Sequence, residues 1–222
     1  MNNTVKRIQE AVGTTPDGVF GPMTLAAVAQ RLDVAMTLRV VQHRVGAKVD
    51  GIFGPETANK IYVALGLGWP SQADVRSGKS IFGKAGDESN LVSITPPYTL
   101  YYEGKPLKTI RVHKLVANAV REALEEVLEY YGEDRIHALG LDDYSGSYNY
   151  RACRSGHALS MHAWGIALDF SPAANAQQYK APRATLSHPD CRVWWEIWEA
   201  HGAVSMGRSR DYDWMHLQFA RL

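Results

Sequence analysis

The period of the hydrophobic positions changes along the chain. Between residues 5 and 65 apolar residues recur at helical spacing in short runs, and those runs occur twice. VKRIQEAVGTTPDGVFGPMTLAAVAQRL (5–32) and LRVVQHRVGAKVDGIFGPETANKIYVAL (38–65) align at an offset of 33, with ten of 28 positions identical, among them Gln9/Gln42, Asp17/Asp50, Phe20/Phe53 and Thr24/Thr57. Each copy predicts a short helix, an Asp-Gly tight turn that uses the tolerance of glycine for positive φ, and a second helix opened by Pro22 or Pro55, where a missing N–H costs nothing. Phe20 and Phe53 are expected to plug the helices together. The expectation for residues 1–66 is a small all-α bundle.

From Gly66 the period is lost. GLGWPSQADVRSGKSIFGKAGDESN is rich in Gly, Ser and Asp, which predicts a linker over 67–79 leading into a second domain at 80–222. There TIRVHKLVANAVREALEEVLEYYG predicts a strand and then a long amphipathic helix, with Val116, Val120, Leu124 and Leu128 on one face and Gly132 at its end. CRVWWEIWEAHG predicts a second helix with Val193, Trp194, Ile197 and Trp198 on a stripe, ended by Gly202. Strand-like runs flank it, WGIALDF (164–170) before and WMHLQFA (214–220) after. Strands and helices are segregated rather than alternating, so this half reads as α+β with a small antiparallel sheet.

Composition narrows the class. The 222 residues suffice for two small domains, each with its own core. A charged fraction of 21% and a net charge of +1 give no reason to expect nucleic acid as a partner. Residues 1–66 carry seven Lys/Arg against five Asp/Glu, only a mild positive excess. No run approaches the ~20 apolar residues of a membrane span. MNNTVKRIQEAVG lacks an uninterrupted apolar h-region, so no signal peptide is expected. The two cysteines, Cys153 and Cys191, are too few for a disulfide framework.

Four polar residues interrupt the apolar pattern at the ends of the two strands. His162 and Asp169 bracket WGIALDF, and Asp213 and His216 stand at the mouth of WMHLQF. Zinc accepts imidazole nitrogen at ~2.0–2.1 Å and carboxylate oxygen at ~2.0–2.2 Å, and a catalytic zinc takes three protein ligands. Three of the four residues could therefore hold the metal, with the fourth acting as a base. On a regular strand Trp214, His216 and Gln218 share one face and Met215, Leu217 and Phe219 the other. Asp213 would then point away from His216, and it reaches the same site only from a bend before the strand. Gly165, Ala167 and Asp169 share a face that leaves space beside the carboxylate, while His162 must fold back over the strand. Taken singly, a core histidine or a strand-end aspartate is more often structural; the combination points to a site.

The quoted motifs carry two resemblances. D-G-[VI]-F-G-P-x-T, present twice, resembles the peptidoglycan-binding modules of bacterial and phage cell-wall hydrolases over residues 4–66. It implies binding of glycan or stem peptide, with the Asp, Gly and Phe read as architectural. S-x-H-x-x-G-x-A-x-D-F at 160–170 and D-W-M-H-L-Q-F at 213–219, with SYNYR at 147–151 upstream, resemble the VanY-like zinc D,D-carboxypeptidases and L-alanyl-D-glutamate endopeptidases over residues 80–222.

The second resemblance implies that His162, Asp169 and His216 hold zinc, that Asp213 is the catalytic base, and that Arg151 faces the substrate carbonyl. Arg154 and Asp211 are the next candidates for the last two roles, and Ser160 supports the first ligand. Asp rather than Glu at 213 tilts the reading toward the phage branch. Together the resemblances imply an endolysin that cuts a peptide-stem bond of peptidoglycan, L-Ala–D-Glu first and D-Ala–D-Ala as the alternative. It is expected to act as a monomer without membrane insertion, made in the host cytoplasm and reaching the wall through a holin. His113, His137, His157, His188 and His201 read as structural or surface groups. The competing chemistry is a cysteine amidase with Cys153 as nucleophile, but RACRSG offers no strand-to-helix elbow.

Overall fold

The computed structural model describes residues 2–65, 67–78, 80–153, 156 and 158–222. The chain is mixed α+β and divides into two compact units, residues 1–81 and 82–222.

The first unit contains α1 (Asn2–Val12), α2 (Pro22–Arg31), α3 (Leu38–Arg44), α4 (Pro55–Ala64) and α5 (Gln72–Arg76). The repeat is visible as two helix pairs, α1–α2 and α3–α4. Ile8, Val28, Ala29, Val41, Ile61 and Tyr62 form their common core. Phe20 and Phe53 pack against it and stack on each other, ring centroids 3.8 Å apart. The plug is thus one aromatic pair shared by the two copies.

The identical polar positions form one hydrogen-bond network, built twice. Gln9 is buried on α1. Its Nε2 donates to Asp17 Oδ1 at 2.7 Å and lies 3.1 Å from both Val19 O and Thr24 Oγ1, while its Oε1 accepts from Gly18 N at 2.9 Å. Gln42 on α3 does the same with Asp50 (2.9 Å), Ile52 O (3.0 Å), Thr57 (3.1 Å) and Gly51 N (2.8 Å). Each glutamine ties the Asp-Gly turn to the helix that follows it, which accounts for the duplication of these residue types.

The stretch read as a linker contains α5. Ser71 and Asp74 form a capping box at its start, and Trp69 and Val75 are buried. At five residues this helix is too short to show a helical period, but the cap gives it a local reason to form.

The second unit runs β1 (Leu91–Ile94), β2 (Leu100–Tyr102), β3 (Lys105–Leu107), β4 (Ile110–His113), α6 (Ala117–Ala138), β5 (Tyr144–Gly146), β6 (Ala167–Phe170), α7 (Arg192–Ala200), β7 (Val204–Ser205), α8 (Met206–Arg210) and β8 (His216–Gln218). β1 pairs with β4 and β2 with β3, and a four-stranded antiparallel sheet has the order β5-β6-β8-β7. One face of α6 buries Val120, Ala123, Leu124 and Val127. Trp194 and Trp198 of α7 and Phe170 of β6 pack edge to face or tilted, with centroids 5.4–6.0 Å apart.

Two element boundaries differ from the sequence reading. α6 does not end at Gly132; the chain breaks there (φ 67°, ψ 158°) and resumes helix to Ala138, where Ile136 is buried. Glycine adopts that backbone without strain, and burial of Ile136 recovers the turn that follows. WGIALDF is a strand only from Ala167. Met161–Trp164 form a single helical turn, closed by Gly165 in the left-handed region at φ 68°. A Cβ on Gly165 would lie 2.6 Å from Leu91 Cδ2 and 3.2 Å from His113 N. Glycine lets the turn approach β1 and β4 closely, and the turn points His162 back over the sheet.

Candidate functional site

β6 and β8 pair in a register that sets Asp169 directly opposite His216. Directly opposed residues of an antiparallel pair have neighbouring Cβ atoms, so the two side chains meet on one face. His162 arrives from the helical turn before β6. The hydroxyl of Ser160 caps that turn, accepting from His162 N at 3.4 Å. The three side chains converge, with one ligand atom from each lying within 4.8 Å of the others. Both histidines are buried, at 3% and 8% exposure.

The tautomers follow from the surroundings. His162 Nδ1 lies 2.9 Å from the carbonyl oxygen of Ser147, which can only accept, so Nδ1 carries a proton and Nε2 faces the cluster. Gln218 donates its Nε2 to Ala220 O at 2.7 Å, which turns its Oε1 toward His216. His216 Nε2, 3.1 Å from that oxygen, must therefore donate, and Nδ1 faces Asp169. The two inward-facing nitrogens lie 3.3 Å apart. Asp169 contributes Oδ2 at 3.2 Å from His162 Nε2 and Oδ1 at 2.9 Å from His216 Nδ1.

With both rings neutral the inward atoms are all acceptors, and they repel one another unless a proton or a metal ion sits among them. The ionisation balance has the same sign. Burial pushes the carboxyl of Asp169 up, but the rings of His162 and His216 outweigh it and hold the group well below the usual carboxylate range. Burial pushes His216 down, but the hydrogen bond and charge of Asp169, with the charge of Asp213 behind them, hold it above its ordinary value. Protons can supply that positive charge, and so can a metal ion. A tetrahedral ion with bonds of 2.0–2.2 Å has donor–donor edges of about 3.3–3.5 Å. The observed 2.9–3.3 Å separations come close to these edges, and the donor set of two imidazoles and a carboxylate suits zinc.

Asp213 does not lie on β8. It occupies the bend before it, at φ 55°, with its N–H donating to Gln177 O (2.9 Å) and its carbonyl accepting from His216 N (3.0 Å). The bend lets its charge act on His216. Asp211 is committed elsewhere: its Oδ1 accepts from Ala181 N at 2.8 Å and Trp214 Nε1 at 2.9 Å, and these bonds hold its carboxyl low.

His162 and Asp169 open onto a cleft of about 350 Å³ whose lining includes Tyr102, Arg111, Tyr148, Asn149 and Arg151. Arg151 is half-buried there, with Nη1 donating to Ala152 O at 3.3 Å. Arg154 and His157 lie outside the described residues. Among the described residues, Cys153 does not line the cleft, and burial pushes the Cys191 thiol up to about 11, which leaves it a poor nucleophile.

Four further histidines, His113, His137, His188 and His201, have ordinary partners. His113 is held by Phe82 O (3.2 Å) and Leu115 N (3.1 Å), and burial pushes it down to about 4. His137 meets Asp142, His188 meets Pro182 O, and His201 meets Glu126. Three residues of the site escaped the sequence reading. Gln218 had a signal, because it shares the face of His216 at a spacing of two. Ser147 acts through its backbone carbonyl, which no side-chain pattern encodes, and Arg111 sits 51 positions before His162 on a different strand pair. Comparison with protein-family models, curated proteins and solved structures found no match to this chain.

Proposed function

We propose that the chain is a zinc-dependent peptidase that hydrolyses an amide bond in the peptide stem of peptidoglycan, and that it serves as an endolysin. The observation that carries this reading is the convergence of three potential metal ligands, His162 Nε2, Asp169 and His216 Nδ1, beside a cleft that also holds an arginine. The motif resemblance supplies the reaction class.

His162, Asp169 and His216 would hold the metal. Bound there, zinc supplies a Lewis acid for the amide carbonyl and lowers the pKa of water toward ~7. Ser147 O and Gln218 Oε1 fix the ring orientations by accepting the outer N–H of each histidine. The carboxylate of Asp213 takes a proton from the attacking water and returns it to the leaving amine. The guanidinium of Arg151 stays charged at all working pH values and stabilises the oxyanion that develops on the substrate carbonyl.

The finer organisation belongs to the same proposal. Residues 1–66 bind the wall and 80–222 cut it. L-Ala–D-Glu is the first candidate bond and D-Ala–D-Ala the second. The protein is made in the host cytoplasm, reaches the wall through a holin and works as a monomer. Among the described residues no helix is long and apolar enough to cross a membrane.

Mass spectrometry of fragments released from purified peptidoglycan, with and without a zinc chelator, tests the reaction. New amino termini that appear only without chelator support a metallopeptidase, and their identity names the bond. Release that ignores chelator but stops with a thiol alkylator would move the chemistry to cysteine.

A further inference from the structure

The cleft beside the cluster carries two arginines, Arg111 and Arg151, against a single carboxylate, Asp169. That carboxylate is spent on the two histidines. The remaining charge of the lining is positive, and Arg111 has no part in the chemistry proposed above.

Its position is built rather than incidental. The Arg111 carbonyl accepts from the hydroxyl of Ser147, which in turn accepts from Tyr144 OH at 2.6 Å. The carbonyl of the same Ser147 holds His162 Nδ1. The backbone of Arg111 is therefore fixed, through one serine, to the first member of the cluster. Its side chain is also held. Nη2 donates to Glu88 Oε2 at 2.7 Å, the guanidinium carbon lies 5.6 Å from the ring centre of Tyr148, and Tyr148 OH reaches Glu88 Oε1 at 3.4 Å. A guanidinium has five donors in a planar fork, and one bond to Glu88 leaves others for a second acceptor. The side chain is about half exposed, so these donors are accessible to a ligand.

We infer that Arg111 is a specificity residue that takes a free carboxylate of the substrate next to the scissile amide. The inference rests on the peptidase reading. Both candidate bonds meet the requirement, because the residue that carries the leaving nitrogen bears an unblocked carboxylate on the same carbon. Stems in which that carboxylate is an amide present no charge to Arg111 and are poor substrates.

The test uses the full chain with zinc and two synthetic stem peptides that differ only in this group, free carboxylate or carboxamide. A charge-assisted hydrogen bond corresponds to roughly a 10–100-fold preference in kcat/KM for the acid in the wild type. In Arg111→Gln the acid-to-amide ratio should fall to near one through loss on the acid, chiefly in KM, while Arg111→Lys, which keeps the charge but not the fork, should retain part of it. Melting temperature and zinc content of both variants show whether fold and cluster persist. Equal losses on the two peptides, or a wild type with no preference, would overturn the inference while leaving the peptidase reading intact. A zinc-loaded wild type that cuts neither peptide overturns both.

Discussion

The two units bury polar side chains in opposite ways. In the first, Gln9 and Gln42 each join a turn carboxylate, a threonine and backbone groups, and donors meet acceptors throughout. In the second, His162, Asp169 and His216 turn acceptors toward one another, while their outer N–H groups are satisfied by Ser147 O and Gln218. A buried group that lacks a complement costs stability. The first arrangement is complete within the chain and explains itself as architecture, even though its residues are the most repeated in the sequence. The second gathers ligand atoms that a shared proton or a metal ion would join, and such a group could hold a metal.

The largest effects should come from breaking the second arrangement. His216→Ala removes one of the three proposed ligands, so zinc per chain measured by atomic absorption should drop well below one and wall lysis should fall to background. Apparent stability should fall with it, since an ion that binds only the folded state adds to the folding free energy. Asp213→Asn should behave differently. Asparagine keeps the size of the side chain and cannot accept the proton, so zinc should stay near one per chain while the rate falls ~10²–10⁴-fold. If this variant loses zinc as completely as His216→Ala, Asp213 belongs to the ligand set and the base lies elsewhere.

The same contrast explains what was legible in the sequence. The repeat, the Asp-Gly turns and the helices opened by Pro22 and Pro55 could be read because they depend on local backbone chemistry. The gathering of His162, Asp169 and His216 could be read because strand period and spacing put them at element ends, while choosing them over Asp213 as ligands rests on the motif resemblance. The linker helix α5 could not, because its five residues are too few to show a period and only the Ser71 cap announces it. The turn at 161–164 escaped because Gly165 reads as a small strand residue, and its close approach to β1 and β4 is a tertiary fact. The tautomers escaped for a related reason, since the Ser147 carbonyl has no side-chain signature.

A smaller effect is expected from breaking the first arrangement. Gln42→Leu keeps the volume but strips partners from Asp50, Thr57 and the Gly51 N–H. Leaving such groups unsatisfied costs about 2–4 kcal/mol in total, to be read as a lower urea midpoint. Turnover of a short soluble stem peptide should not change, because no residue of the cluster is touched. A loss of turnover at full zinc content would mean that the first unit takes part in the chemistry.

The smallest effect concerns the charge, rather than the hydrogen bonds, of the duplicated network. Asp17 Oδ1 accepts from Gln9 Nε2 and from Val19 N at 2.8 Å, and Asp50 Oδ1 accepts from Gln42 Nε2 and from Ile52 N at 2.8 Å. The bond from Gln9 holds Asp17 below the ordinary carboxylate value, and the backbone N–H of Ile52 does most to hold Asp50 there. A carboxyl that titrates lower when folded contributes stability that is fully present above the unfolded value near 3.8 and is lost as pH falls through the folded one. The melting temperature difference between wild type and an Asp17→Asn, Asp50→Asn double variant should therefore be flat from neutral pH down to about 5 and should shrink below about 4. Asparagine still offers an oxygen to both donors, so the neutral-pH difference should be no more than a few degrees. Both chains keep the histidine cluster, so the acid response of the proposed metal site cancels in the comparison. A difference that stays constant down to pH ~3 would show that the two carboxylates act through shape and neutral hydrogen bonding alone, and the first unit would then be independent of charge altogether.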